Sequence, residues 1–133
     1  GLLISELCAL LRSANPNRRD IELKCEAAHG VVVIDQAVPL ALFIVEAVTN
    51  SYRHAFPDGR RGTIRITLDR NGGRTCVTVA DDGVGYPVAE IPAKMGREMM
   101  EAFATQLAGE HQTRPGDNGG TIVSISFAPV SSS

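Results

Sequence analysis

The sequence predicts an α/β sandwich, a single mixed sheet covered on one face by about three helices. Three observations carry this. Short alternating runs of strand character are mixed with helical runs, without the strict alternation of a doubly wound sheet. The run from Asp35 to about Ala55 is a helix too apolar to be bathed in solvent all round. Asn71-Gly72-Gly73 lies between two alternating runs and joins them as a hairpin.

In chain order, Leu2, Leu3, Leu7, Leu10 and Leu11 recur at helical spacing, and Ala14-Asn15-Pro16-Asn17 ends that helix. Ile21 to Ala27 alternates and reads as a strand. His29-Gly30 turns the chain into a short second strand, Val31 to Ile34. Asp35 is placed to cap the long helix, with Pro39 in its first turn, and Pro57-Asp58-Gly59 terminates it. Its sheet-facing side is expected to hold Leu42, Val45 and Val48. The hairpin pairs Thr63 to Leu68 with Thr75 to Ala80. Tyr86 to Lys94 reads as irregular chain, and Gly96 to Leu107 as a helix with Met99, Met100, Phe103 and Leu107 on one face. Gly109 to Gly120 reads as a polar loop, Thr121 to Phe127 as the last strand, and Ser131-Ser132-Ser133 as a frayed tail.

The chain has 133 residues, enough for one domain with a buried core. Hydrophobic residues are 44% and charged residues 21%, which excludes a disordered chain. A net charge of -2 argues against a nucleic-acid surface, and Arg18-Arg19 and Arg60-Arg61 read as solvated loop charge. Cys8, Cys25 and Cys76 are odd in number and lack a C-x-x-C pair, so neither a disulfide framework nor a zinc site is expected. Cys25 and Cys76 read as small core residues in a reducing, cytoplasmic setting. Ala37 to Val45 is the longest apolar run, too short to cross a bilayer and closed by Glu46, so no membrane contact is expected.

Three features carry chemistry. Glu46, Asn50, Arg53 and His54 stand at i, i+4, i+7 and i+8 of the long helix and share a face. An Asn oxygen is a hard ligand suited to Mg²⁺ at phosphates, and a carboxylate one turn away can orient or deprotonate a nucleophile. Arg53 and His54 can offset phosphate charge. Asp81-Asp82-Gly83-Val84-Gly85 follows a strand directly; its glycines admit close approach, and its Asp can accept from an exocyclic amine. Gly96 opens a helix, a ready phosphate site, and Gly119-Gly120-Thr121 opens the last strand. Each feature alone has a plain reading as solvent face, turn or punctuation; their order makes the set informative.

Glu46-x-x-x-Asn50-x-x-Arg53-His54-Ala55-Phe56 resembles the N box of histidine-kinase ATPase domains. Asp81 to Gly85 resembles their G1 box, Met95-Gly96 a shortened G2 box and Gly120-Thr121 the G3 segment, over roughly residues 36 to 127. The resemblance is to the superfamily of gyrase, chaperone, histidine-kinase and mismatch-repair ATPases, and Asn-x-x-Arg-His-Ala-Phe points to its kinase branch. It implies a Bergerat-type fold, ATP and Mg²⁺ as cofactors, and phosphoryl transfer to a histidine elsewhere. Asn50 would ligate Mg²⁺, Glu46 would polarise the acceptor, and Arg53, standing where the family usually has Lys, would contact phosphate with His54 beside it. Asp81 would read the adenine amine, Gly83 and Gly85 would shape the pocket floor, Gly96 would approach the phosphates and Thr121 would support the adenine contact.

The lid segment, Tyr86 to Met95, is short and Gly96 is the only glycine of the fuller phosphate motif, as in the short-lid kinases that include the HWE group. The chain has no Trp, which places it beside that group. His29, His54 and His111 lie in a turn, the N box and a polar loop, so the acceptor is expected outside this chain. Residues 1–15 then read as the end of a dimerisation-hairpin helix whose leucines had partners there, 16–130 as the catalytic domain and 131–133 as a tail. The implied partners are the acceptor-histidine dimerisation domain of the parent protein and a response regulator. A serine kinase of the anti-sigma type and a docking module that no longer binds ATP stay open beside this reading.

Overall fold

The computed structural model describes residues 2–14, 20–27, 34–54, 56, 61–84, 97–116 and 119–128. The elements are α1 (Leu2–Ala14), β1 (Ile21–Ala27), α2 (Ile34–His54), β2 (Gly62–Asn71), β3 (Arg74–Asp81), α3 (Arg97–Gln106), β4 (Glu110–Pro115) and β5 (Thr121–Phe127). Five strands form one sheet in the order β1-β2-β3-β5-β4. β1 runs parallel to β2, with α2 as the crossover between them, and the other pairs are antiparallel. The expected α/β sandwich is therefore the observed fold.

Alternation sets the two faces of the sheet. Along β3, Thr75, Val77, Val79 and Asp81 are buried, while Arg74, Cys76, Thr78 and Ala80 are half-buried on the other side. The register carries the buried set across the sheet, with Ile66 opposite Val79, Leu68 opposite Val77 and Val77 opposite Ile125. Against that face α2 packs Leu40, Phe43, Ile44, Ala47 and Val48, and α3 adds Met100, Ala104 and Leu107. Burying one such side chain contributes about 2 kcal/mol. Gln36 near the start of α2 donates to the Ala128 carbonyl at 2.9 Å, tying the helix to the end of β5.

α1 closes the free edge of β1. Cys8 and Leu11 join the core, Leu7 packs against it, and the Arg12 guanidinium donates twice to the Leu23 carbonyl, at 3.2 and 2.5 Å. Burial pushes the Cys8 thiol up to about 12, with a hydrogen bond that it donates to Cys25 adding to the shift. Among the leucines of α1, Leu10 is exposed.

Several expectations are corrected. Ile34 opens α2, so it is not the end of a strand; residues 31–33 lie outside the described residues. Asp35 is thus one residue inside the helix, and Pro39 falls in its second turn, where it removes one ladder bond. Leu42 is exposed and Val45 half-buried; Phe43 and Ile44 take their expected place on the sheet. Cys76 faces away from the core. The expected polar loop contains β4, whose backbone pairs with β5 from Glu110 to Pro115. His111 is therefore on an edge strand, edge-on to Phe43 with ring centres 6.2 Å apart. His29, Arg18-Arg19, Arg60, the lid segment and the tail lie outside the described residues.

Candidate functional site

Those singled-out features that lie among the described residues gather at one end of the sheet. Asp81 ends β3 opposite Ile64, Thr121 starts β5, and the last turns of α2 lie against them. The Asp81 carboxylate is buried and held from α2, from β5 and from the turn that follows β3. Its Oδ1 accepts from the backbone N–H of Gly83 at 3.1 Å and of Thr121 at 3.2 Å. Its Oδ2 accepts from the Ser51 hydroxyl on α2 at 3.0 Å. Burial raises the Asp81 carboxyl above its ordinary value, and the hydrogen bonds from Gly83, Ser51 and Thr121 pull it back in part.

Glycine makes this close packing possible. Gly120 has a φ of +79°, and a Cβ built on it would lie 1.9 Å from the Asp81 carbonyl oxygen. No side chain fits there. Asp82 plays a different part. It accepts from the Thr63 N–H at 2.8 Å and its own N–H donates to the Thr63 carbonyl, splicing the start of β2 to the end of β3.

On α2 the expected polar stripe is graded. Glu46 is half-buried, Asn50 is buried and Arg53 is exposed. His54 is the last residue of α2, and its side chain lies outside the described residues, as do Gly85 and Gly96. Hydrogen bonds bring Asp81, Gly83 and Thr121 together, while Glu46, Asn50 and Arg53 share a helix face by spacing. Two buried oxygens, Asn50 Oδ1 and Thr121 Oγ1, have no hydrogen-bond partner among the described residues. Buried polar atoms left unpaired are costly, so their presence at one site marks a place built to receive something else. Ser51 stands inside the Glu46–Phe56 motif at a position that the motif leaves open. The available signal is a hydroxyl one residue beyond Asn50 on a helix that is otherwise largely apolar. A cavity of about 690 Å³ lined by Asp20, Glu22, Arg61, Gly62 and Thr63 opens at the same end of the sheet, and none of the predicted site residues is among those five.

The arrangement is a carboxylate with acceptor capacity to spare, a glycine that admits close approach, and a hard oxygen on the neighbouring helix. That set fits a nucleotide with a bound cation. Residues 35–131 match the family described as histidine kinase-, DNA gyrase B-, and HSP90-like ATPase. The chain belongs to that family, and membership implies ATP binding. It is 32% identical over 99 residues to the sensor histidine kinase PdtaS of Mycolicibacterium smegmatis, covering 71% of this chain and 20% of that protein. It is 27% identical over 110 residues to the nitrate/nitrite sensor protein NarX of Escherichia coli, covering 82% of this chain and 18% of that one. A blue-light activated histidine kinase of Erythrobacter litoralis superposes with a TM-score of 0.82 at 26% identity, over 96% of this chain and 42% of that chain. The catalytic domain of histidine kinase ThkA superposes at 0.78 over 90% of its length, with 17% identity, and supports the fold. The chain spans 18% to 20% of the length of these two curated relatives. Among the described residues, no helix is long and apolar enough to cross a membrane.

Proposed function

We propose that this domain binds ATP with Mg²⁺ and passes the γ-phosphoryl group to a histidine outside the chain, as the catalytic part of a sensor histidine kinase. The observation that carries this reading is the buried Asp81 carboxylate, held by three donors, on α2, on β5 and in the turn after β3. Asp81 accepts the adenine amine, with Gly83 and Gly120 allowing the base to approach and Thr121 supporting it from β5. Asn50, whose buried oxygen lacks a partner among the described residues, would hold Mg²⁺. The cation supplies neutralisation of charge on the phosphate oxygens. Glu46, one turn before Asn50, would polarise the incoming imidazole, and Arg53 and His54 would offset phosphate charge; Gly85 and Gly96 keep the roles that the motif implies for them. His111 packs on Phe43 at the sheet edge, which supports an acceptor located elsewhere. The partners are then the dimerisation domain of the parent protein, with residues 1–15 as the end of its hairpin helix, and a response regulator. Three free cysteines and the need for ATP support a cytoplasmic placement.

Calorimetric titration of the 133-residue chain with ATP and Mg²⁺ tests this. Saturable binding is expected, abolished by Asp81→Asn and weakened by Asn50→Ala with loss of its Mg²⁺ dependence. No binding at about 1 mM ATP, where even a weak site fills, would overturn it and favour a docking module.

A further inference from the structure

α2 places a second buried polar side chain beside Asn50. Ser51 is 3% exposed, and its Oγ lies 3.0 Å from Asp81 Oδ2. A serine has one O–H to give, and in a helix it commonly bonds the carbonyl one turn back. Here it is spent on β3 instead. The remaining donors divide unevenly, since the N–H groups of Gly83 and Thr121 both go to Oδ1. A carboxylate oxygen has two lone pairs, so among the described residues Oδ1 is filled and Oδ2 keeps one free.

We propose that Ser51 is a positioning residue for base recognition: its hydroxyl fixes the rotation of the Asp81 carboxylate so that the free lone pair of Oδ2 meets the exocyclic amine of the base. This rests on the ATP reading above and adds a residue that acts through Asp81. Because Ser51 follows Asn50 directly, the same bond also holds the helix that carries the candidate cation ligand against the strand that reads the base. The donor favours the ionised carboxylate, opposing the effect of burial.

The test compares Mg²⁺-ATP with the triphosphate of purine riboside, which lacks the amine, on the 133-residue chain. The wild type is expected to prefer ATP. In Ser51→Ala the dissociation constant for ATP rises roughly fivefold, the loss of one hydrogen bond, while that of the analogue changes less than about twofold. The acid limb of ATP affinity moves to higher pH in the same variant, and Ser51→Thr, which keeps the hydroxyl, restores the preference. Should Ser51→Ala fail to fold by circular dichroism, Ser51→Cys, a weaker donor of similar size, is expected to give an intermediate preference. Equal weakening of both nucleotides, with the pH profile unmoved, would mean a merely structural serine and would overturn the proposal. A wild type that binds neither nucleotide sinks the ATP reading itself, whereas one that binds both equally sinks only the base-reading geometry.

Discussion

β3 is bounded by glycine at both ends, under opposite packing. At its start, Gly72 and Gly73 turn the chain with φ of +60° and +81°, and nothing lies within 4 Å of a Cβ built on either. At its far end, Gly120 has a similar φ of +79° but presses on the Asp81 backbone. The turn needs glycine for conformation alone. The site needs it for conformation and for space, because a nucleotide pocket requires backbone to run against backbone.

Substitutions should separate the two ends. Gly120→Ala combines left-handed backbone strain with a collision and is expected to cost about 3 kcal/mol or more, with loss of ATP binding. A thermal melt and a nucleotide titration check both parts. Asp81→Asn comes next, and it should uncouple stability from binding. Since burial raises the folded-state carboxyl above its ordinary value of 3.8, the folded chain keeps a proton that the unfolded chain has released. The stability contributed by Asp81 is therefore full below 3.8 and is lost as pH rises through the folded value. ATP binding runs the other way, because the ionised group is the acceptor. The Asn variant should melt no lower than wild type at neutral pH, show a flatter dependence of melting temperature on pH, and bind no ATP. A clear drop in melting temperature would show that the negative charge stabilises the fold. The smallest effect is expected for Gly72→Asn, which creates the Asn-Gly pair favoured in two-residue hairpins and should shift stability by less than about 0.5 kcal/mol. A loss as large as that of Gly120→Ala would erase the distinction between the ends.

Much of this is legible in the sequence, for physical reasons that also explain the misses. β1, the β2–β3 hairpin and β5 alternate because one face is buried and the other is not. α2 is legible from its length and apolar periodicity, although the pattern alone misplaces its buried face at Leu42. β4 is not legible. Glu-His-Gln-Thr-Arg has no apolar alternation, and an edge strand can be held by backbone pairing alone. Asp81 and Thr121 are legible because they sit where strands meet glycine. Ser51 is not, since one hydroxyl on a helix carries no pattern, and its partner is 30 residues away. Asn50 is legible by type and spacing, but only the fold shows that its oxygen is buried without a partner among the described residues.

Two of the three donors that hold Asp81 come from chain segments 30 residues before it and 40 residues after it. Such long-range contacts form late, because the loops between them must close first. The Asp81 site is therefore expected to be among the last parts of the domain to form as it folds, and a chain that stops short of β5 has no Thr121 to complete it. A ligand that recognises only the finished pocket stabilises the folded chain by mass action. ATP would then act on this domain as a folding ligand as well as a substrate.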